Sequence, residues 1–328
     1  MEFGILSTAA IARESVIPAI QATEASVGAI ASRDADRAAS VADELSIPRS
    51  YGSYDALLND SDIDAVYIPV PNGLHAEWTK RAADAGLDVL CEKPLTVDAA
   101  EAREVVDHCE RRDVTLMEAF MYRFHPRTER AIELAADRLD DVRSVSASFK
   151  FPLFGDPDDI RLNPGLAGGS LMDVGAYTVS AARQFLGEPD RAYAHMDDSR
   201  ESGVDTEVAG VLEYADGSSA RIASGFDTET VQRYRVEARN GWIEVEHAFS
   251  PPEDEAATLQ YEIDGIRDSE RFDLVDQYRL QIEHFIDCVE SGSRPRTDGA
   301  EAIANMAVID ALYESADRHA PASVDTRR

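Results

Sequence analysis

Apolar residues follow two rhythms along this chain. Over the first 119 residues, short apolar runs alternate with amphipathic stretches. Phe3–Leu6, Val27–Ala31, Asp64–Ile68, Val89–Leu90 and Thr115–Ala119 read as buried strands. Between them, helical patterns run to about Ala22, over Ala35–Leu45 and Tyr54–Leu58, through Trp78 and Ala82, and over Val97–Arg111. Strict alternation of this kind predicts an α/β unit, a Rossmann-type doubly wound parallel sheet. From Phe120 the rhythm changes. A helix to about Leu139 gives way to longer alternating runs at Val142–Phe151, Glu207–Tyr214, Ser219–Phe226, Arg233–Ala238 and Gly241–His247. Asp216-Gly217 and Asn240-Gly241 mark hairpin turns between them. This half predicts an α+β domain with a large, mostly antiparallel open sheet. The expected division is 1–119 and 120–328, with the C-terminal helices packing back on the first domain. Pro251–Asp268, acidic and Pro-containing, reads as a loop or mobile hairpin, and Gln277–Glu290 and Ala300–Ala316 as helices.

Candidate chemistry sits where the predicted strands end, because ligands of open α/β sheets bind at the carboxyl ends of strands. After the first strand comes Ser7-Thr8-Ala9-Ala10-Ile11-Ala12, where a dinucleotide-binding unit carries G-x-G-x-x-G. Ser7, Ala9 and Ala12 occupy the three glycine positions. All are small enough to admit a pyrophosphate at a helix N-terminus, although a plain strand-to-helix turn would look the same. The second strand ends in Ser32-Arg33-Asp34. A hydroxyl and a guanidinium suit a ribose 2′-phosphate, with Arg37 one turn on, so NADP is expected as cofactor. Asp34 leaves NAD as the weaker alternative. The third strand ends in Pro69-Val70-Pro71-Asn72, with His75 opening the next helix; Pro69 stiffens the loop, and Asn72 and His75 are candidates for the nicotinamide side. For His75, a helix-start histidine without a role fits equally.

Cys91-Glu92-Lys93-Pro94-Leu95 ends the fourth of these strands with one of only three lysines in the chain. A cation there can hold a substrate oxygen or depress a neighbouring pKa, whereas a surface lysine in an ordinary turn is the plainer reading. In the second half, Gly168-Gly169-Ser170-Leu171-Met172-Asp173-Val174-Gly175-Ala176-Tyr177 opens a helix. Asp173 and Tyr177 stand at i and i+4, so a carboxylate and a phenol share one helical face. Together with a lysine they make a proton-transfer group; without one they are a capping Asp and a core Tyr. Arg123, His125, Phe154 and Arg161 are secondary candidates for a substrate pocket, each with a structural role as the alternative.

Charge narrows the possibilities. The chain of 328 residues carries 63 acidic against 32 basic residues, a net charge of −31. Such a surface repels nucleic acid and anionic membranes, which excludes both as expected partners. The acidic residues are spread through segments that keep their apolar periodicity, which argues against disorder and for adaptation to high salt, hence a halophilic source. Three cysteines without a CxxC suit a reducing cytoplasm. The N-terminus lacks a basic leader, and no apolar run approaches a membrane span.

With Phe3–Ala12, Val66–His75, Val89–Leu95, Met117–Pro126 and Gly168–Tyr177 in this order, the chain resembles the glucose–fructose oxidoreductase/inositol dehydrogenase (Gfo/Idh/MocA) family over nearly its whole length. The Met117–Pro126 run and Arg161-Leu162-Asn163-Pro164 look like the branch of NADP-dependent D-xylose 1-dehydrogenases and dimeric dihydrodiol dehydrogenases. The replaced glycines of the first loop depart from the pattern. The resemblance implies that Lys93 is the active-site lysine, with the bond to Pro94 often cis, that Asp173 orients substrate, and that Tyr177 is the acid/base. Glu92 and Lys93 then border the cofactor, and Lys93, Asp173 and Tyr177 also touch the substrate. The implied reaction is oxidation of C1 of a cyclic aldose, D-xylose foremost, to a lactone, with no metal. Oxidation of a trans-dihydrodiol or another polyol uses the same residues. A catalytically silent NADP-binding regulator is the alternative of a different class. The alternating Val211, Ile222, Val236 and Ile243 predict a homodimer or homotetramer built through the antiparallel sheet.

Overall fold

The structure, a computed structural model, describes residues 1–328 apart from 157, 253 and 326–328. The chain forms two compact units, Met1–Met121 with Asp276–Ala302, and Tyr122–Val275 with Ile303–Arg328.

In the first unit, six strands form one parallel sheet: β1 (Glu2–Leu6), β2 (Ser26–Ala31), β3 (Arg49–Tyr51), β4 (Ala65–Ile68), β5 (Asp88–Glu92) and β6 (Leu116–Ala119). Their order is β3-β2-β1-β4-β5-β6. The order reverses beside β1, so the turn after β1 lies at the crevice where such sheets bind ligands. Strands buried on both faces read as unbroken apolar runs, which is why β4 (AVYI) is buried at every position. Helices α1 (Ile17–Gln21), α2 (Ala35–Glu44), α3 (Tyr54–Leu58), α4 (His75–Asp84) and α5 (Ala99–Arg112) make the crossovers. Asp34, Ser53 and Asp98 cap α2, α3 and α5 by accepting from their first-turn N–H groups. One core cluster includes Leu6, Val66, Ile68, Val89, Cys91, Leu95 and Val105.

In the second unit, α6 (Pro126–Arg138) precedes β7 (Val142–Lys150), and α7 (Ala176–Leu186) precedes β8 (Arg191–Asp197), β9 (Glu207–Glu213), β10 (Ser219–Gly225), β11 (Val231–Ala238), β12 (Gly241–Glu246), β13 (Thr258–Ile263) and β14 (Ile266–Arg271). With β15 (Ala322–Ser323) they form a nine-stranded sheet, β14-β13-β12-β11-β7-β10-β9-β8-β15, in which only β7 and β10 pair in parallel. α8 (Gln277–Ser291) belongs to the first unit, and α9 (Gly299–Arg318) begins in the first and continues in the second.

Two sequence expectations are resolved here. Of the two readings of Pro251–Asp268, the hairpin holds for its later part: β13 lies within it and pairs antiparallel with β14, which begins in it, with Leu259 and Ile263 fully buried. Residue 253 lies outside the described residues. The set of exposed apolar positions is also corrected. Ile222, Val236 and Ile243 are buried at 2%, 0% and 0% exposure, whereas Val211 is open at 38%. The register explains this. Val211 pairs with Arg221, so Ile222, one residue on, faces the other way, toward the side on which α7 packs. The open face instead carries Tyr193 opposite Val211, then Arg221, and farther along Arg235, whose guanidinium lies over the Trp242 ring at 4.2 Å.

Candidate active site

In the first unit, the turn after β1 keeps the backbone of a glycine loop without its glycines. Ser7 has φ 151, a region that side chains rarely adopt, and its Oγ accepts from Ala9 N–H at 3.1 Å. Thr8 and Ala12 are buried, and Ile11 leads into a π-helical turn, Ala12–Val16, before α1. Wide turns of this kind recur at functional sites.

At the end of β2, Asp34 is occupied as the cap of α2: its Oδ1 accepts from Asp36 N–H at 3.0 Å and Arg37 N–H at 3.1 Å. Ser32 Oγ accepts from Asp34 N–H at 3.2 Å. Arg33 and Arg37 are exposed, and among the described residues neither guanidinium has an ion-pair partner. Both exposed guanidinium groups are thus available to an anionic ligand through charge-assisted hydrogen bonds. The donor set therefore fits a phosphate on the ribose better than a bare 2′-hydroxyl.

Lys93 follows β5, and its peptide bond to Pro94 is cis. Its surroundings are held by buried polar groups. Tyr67 donates its hydroxyl to Glu92 Oε1 at 2.7 Å, and Glu92 Oε2 accepts from Lys93 N–H at 3.3 Å. Glu118, 2% exposed, accepts Leu95 N–H at 2.7 Å through Oε1. His75 is wholly buried, with Nδ1 2.7 Å from the Pro94 carbonyl oxygen and Nε2 2.8 Å from that of Val70. Burial, with the nearby Lys93 cation, pushes its imidazole down to about 4 against the pull of the two carbonyls. Both ring nitrogens thus face backbone carbonyls, and any part His75 plays at the site passes through the Val70 and Pro94 segments. Pro69 and Val70 are buried, and Asn72 opens a short 3₁₀ turn ahead of α4.

In the second unit, Asp173 lies in a π-helical turn, Leu171–Gly175, and Tyr177 in the first turn of α7. Backbone approach explains the glycine pair before them. Gly169 N–H donates to Arg161 O at 2.8 Å, and a Cβ on Gly168 would lie 2.4 Å from that same oxygen. Gly169 has φ +115, and a Cβ there would lie 2.5 Å from Asp205 Oδ1. Asp205 Oδ2 accepts from Ser170 Oγ at 2.9 Å and Leu171 N–H at 2.7 Å, while Oδ1 accepts from Tyr313 at 2.8 Å. Burial nonetheless raises its pKa. Arg161 wraps the same turn: its Nε donates to Asp173 Oδ2 at 3.0 Å, and its Nη1 faces Asp159 at 3.3 Å. The two carboxylates raise the Arg161 pKa against the partial desolvation of its otherwise exposed side chain. Tyr177 is 5% exposed, with its ring centroid 5.4 Å from those of Phe149 and Phe249 and 5.7 Å from that of Tyr122.

Among the secondary candidates, His125 is a helix cap. Its Nδ1 accepts from Arg127 N–H at 3.0 Å, and burial pushes its imidazole down to about 4. Phe154 is 72% exposed, with the Arg200 guanidinium 5.8 Å from its ring centre. Arg123 lies in the 3₁₀ turn Met121–Phe124. Glu118, Tyr67 and Asp205 were not singled out from the sequence. Their spacing from the residues they hold, 23 positions for Glu118 to Leu95 and 34 for Asp205 to Leu171, leaves no local signal. Among the described residues, no cluster of His, Cys, Asp and Glu could hold a metal.

A family profile described as "Oxidoreductase family, NAD-binding Rossmann fold" matches residues 1–120, and one described as "GFO/IDH/MocA C-terminal domain" matches residues 130–244. A D-xylose 1-dehydrogenase (NADP(+)) of Haloferax volcanii is 56% identical over 325 residues, 99% of this chain and 100% of that protein. The crystal structure of an aldose-aldose oxidoreductase from Caulobacter crescentus, complexed with glycerol, superposes with a TM-score of 0.91 at 28% identity, covering 98% of this chain and 99% of that one. A 3-ketoreductase from Actinomadura kijaniata, in complex with NADP and TDP-benzene, gives a TM-score of 0.90 at 31% identity, covering 96% and 97%.

Proposed function

The chain belongs to the GFO/IDH/MocA family of oxidoreductases, and from that premise we propose that it is an NADP-dependent aldose dehydrogenase whose preferred substrate is D-xylose. The full-length likeness to the Haloferax volcanii enzyme carries this reading. Ser7, Thr8, Ala9, Ile11 and Ala12 would take the pyrophosphate, and Ser32, Arg33 and Arg37 the 2′-phosphate. Pro69, Asn72 and Glu92 would border the nicotinamide. When bound, NADP supplies the acceptor for the C1 hydride of the sugar. Tyr177 accepts the proton of the C1 hydroxyl, Lys93 contributes the cation that favours this transfer, and Asp173, aligned by Arg161, holds a sugar hydroxyl. The product is a 1,5-lactone that opens to the aldonic acid. Arg123, His125 and Phe154 stand as lesser candidates for the sugar side.

The unit divisions expected from the sequence, a cofactor domain over 1–119 and a substrate and oligomerisation domain over 120–328, belong to the same reading. So do a cytoplasmic location and a high-salt habitat. The open face of the large sheet, with Tyr193 and Val211 exposed on adjacent strands, supports a homodimer or homotetramer. Substitution tests the chemistry. Tyr177→Phe and Lys93→Met should each lower turnover with D-xylose by about 10²-fold or more while leaving NADP binding measurable by titration. Near-normal turnover in both variants would defeat the assignment.

A further inference from the structure

The peptide unit joining Pro94 to Leu95 is held at both of its polar ends by buried, ionisable side chains. Its carbonyl oxygen lies 2.7 Å from His75 Nδ1, and its N–H donates to Glu118 Oε1 at 2.7 Å. His75 is 0% exposed and Glu118 2%. Each holder is itself anchored. His75 reaches the Val70 carbonyl with its other nitrogen at 2.8 Å. The Glu118 backbone is tied on both sides to Thr297, whose Oγ1 donates to Glu118 O at 2.6 Å and whose carbonyl accepts from Glu118 N–H at 2.9 Å. A buried carboxylate and a buried imidazole are expensive ways to satisfy one peptide unit. Apolar residues in their place would leave the Pro94 carbonyl and the Leu95 N–H buried without partners, so both side chains serve this one peptide unit. The unit they fix lies one residue beyond Lys93.

We propose that His75 and Glu118 are positioning residues for Lys93, clamping the Pro94–Leu95 peptide so that the lysine keeps one direction of approach to the substrate oxygen. This rests on the reading of Lys93 as a participant in the chemistry. Both ring nitrogens face carbonyl oxygens, which only accept, and the neutral ring has one N–H to give; the clamp requires that proton on Nδ1, toward Pro94. A misplacement of about 1 Å in a reacting group costs on the order of 10²-fold in rate, so a clamp of this kind acts on turnover without touching substrate.

The test uses two matched pairs of variants of the full-length enzyme, assayed for D-xylose oxidation. An asparagine amide reproduces the Nδ1 position of histidine, and a glutamine amide reproduces Nε2. His75→Asn therefore keeps a donor at the Pro94 carbonyl, while His75→Gln removes it and places an amide at the Val70 side instead. Glu118→Gln keeps an acceptor for Leu95 N–H, and Glu118→Met removes it at similar volume. The expected result is kcat lowered by about 10²-fold in His75→Gln and Glu118→Met, by less than about fivefold in His75→Asn and Glu118→Gln, with KM for NADP within about twofold throughout. Combining His75→Gln with Lys93→Met should cost no more than Lys93→Met alone, since the clamp acts through the lysine. Thermal melts confirm that each variant is folded, and an unfolded member of one pair leaves the other pair to decide. Equal losses within each pair, or losses additive to that of Lys93→Met, would overturn the clamp. Near-normal turnover of Lys93→Met by itself would overturn the role of the lysine instead.

Discussion

Burial holds His75 and His125 neutral, both pushed down from 6.5 to about 4, and this sets a pH dependence of stability. In the unfolded chain both rings titrate near 6.5. Between the two values the unfolded state therefore binds more protons, and stability falls as pH falls. The contribution of the two neutral rings is complete above about pH 6.5 and is lost as pH drops through about 4. Melting temperature at constant salt should decline from neutral pH into this range. His125→Asn, which keeps the capping acceptor for Arg127 N–H, should flatten the decline; a melting temperature that rises on acidification would contradict the account. Arg33 sets a second residue-scale prediction. Arg33→Ala should raise the KM for NADP by about tenfold or more and leave that for NAD nearly unchanged, since a charge-assisted contact to the 2′-phosphate is the only one lost. Equal changes would show that Arg33 does not reach the phosphate. The sequence already displayed Arg33, Lys93, Asp173 and Tyr177, because each stands at the end of a readable element. It displayed His75 as a residue but not as a clamp, since the carbonyls of Val70 and Pro94 lie 5 and 19 positions away. Asp34, which kept NAD in view as the alternative cofactor, proved to be a helix cap, a role open to any Asp before a helix.

The β-strands of the first unit were legible because burial on both faces makes each an apolar run, and the helices between them imply parallel pairing. β3 was not: its three residues, Arg49–Tyr51, pair only at the sheet edge and are too few to show a period. β13 and β14 were legible only as one of two readings, hairpin or loop, because of acidic residues on their open positions and the absence of a buried position anywhere in β14. Which face of the large sheet stays open also escaped the reading, because period-two alternation gives two faces without saying which one a helix covers. Register settles it and moves the proposed subunit interface to the Tyr193–Val211 side. Val211→Glu should then shift the sedimenting species toward the mass of one chain in molar salt, whereas Ile222→Glu, which places a charge in the core, should lower the melting temperature sharply. A wild-type protein that sediments as a single chain would contradict the interface.

At the scale of the whole molecule, a net charge of −31 on 328 residues is the dominant fact. At low ionic strength the carboxylates repel one another over distances that salt of about 1 M reduces to about 3 Å. The protein should therefore melt at higher temperature in molar salt than in dilute buffer, and the opposite order would remove the case for adaptation to high salt. No helix among the described residues is long and apolar enough to cross a membrane. NADP reduction in molar salt tests the proposed enzyme activity most directly. Purified protein is supplied with NADP and, in turn, pentoses, hexoses and trans-dihydrodiols, and kcat/KM is compared across them. The predicted result is steady NADPH formation with the highest kcat/KM for D-xylose and an aldonic acid as the final product. A higher kcat/KM for a dihydrodiol, or NADP bound without reduction by any of these compounds, would contradict it.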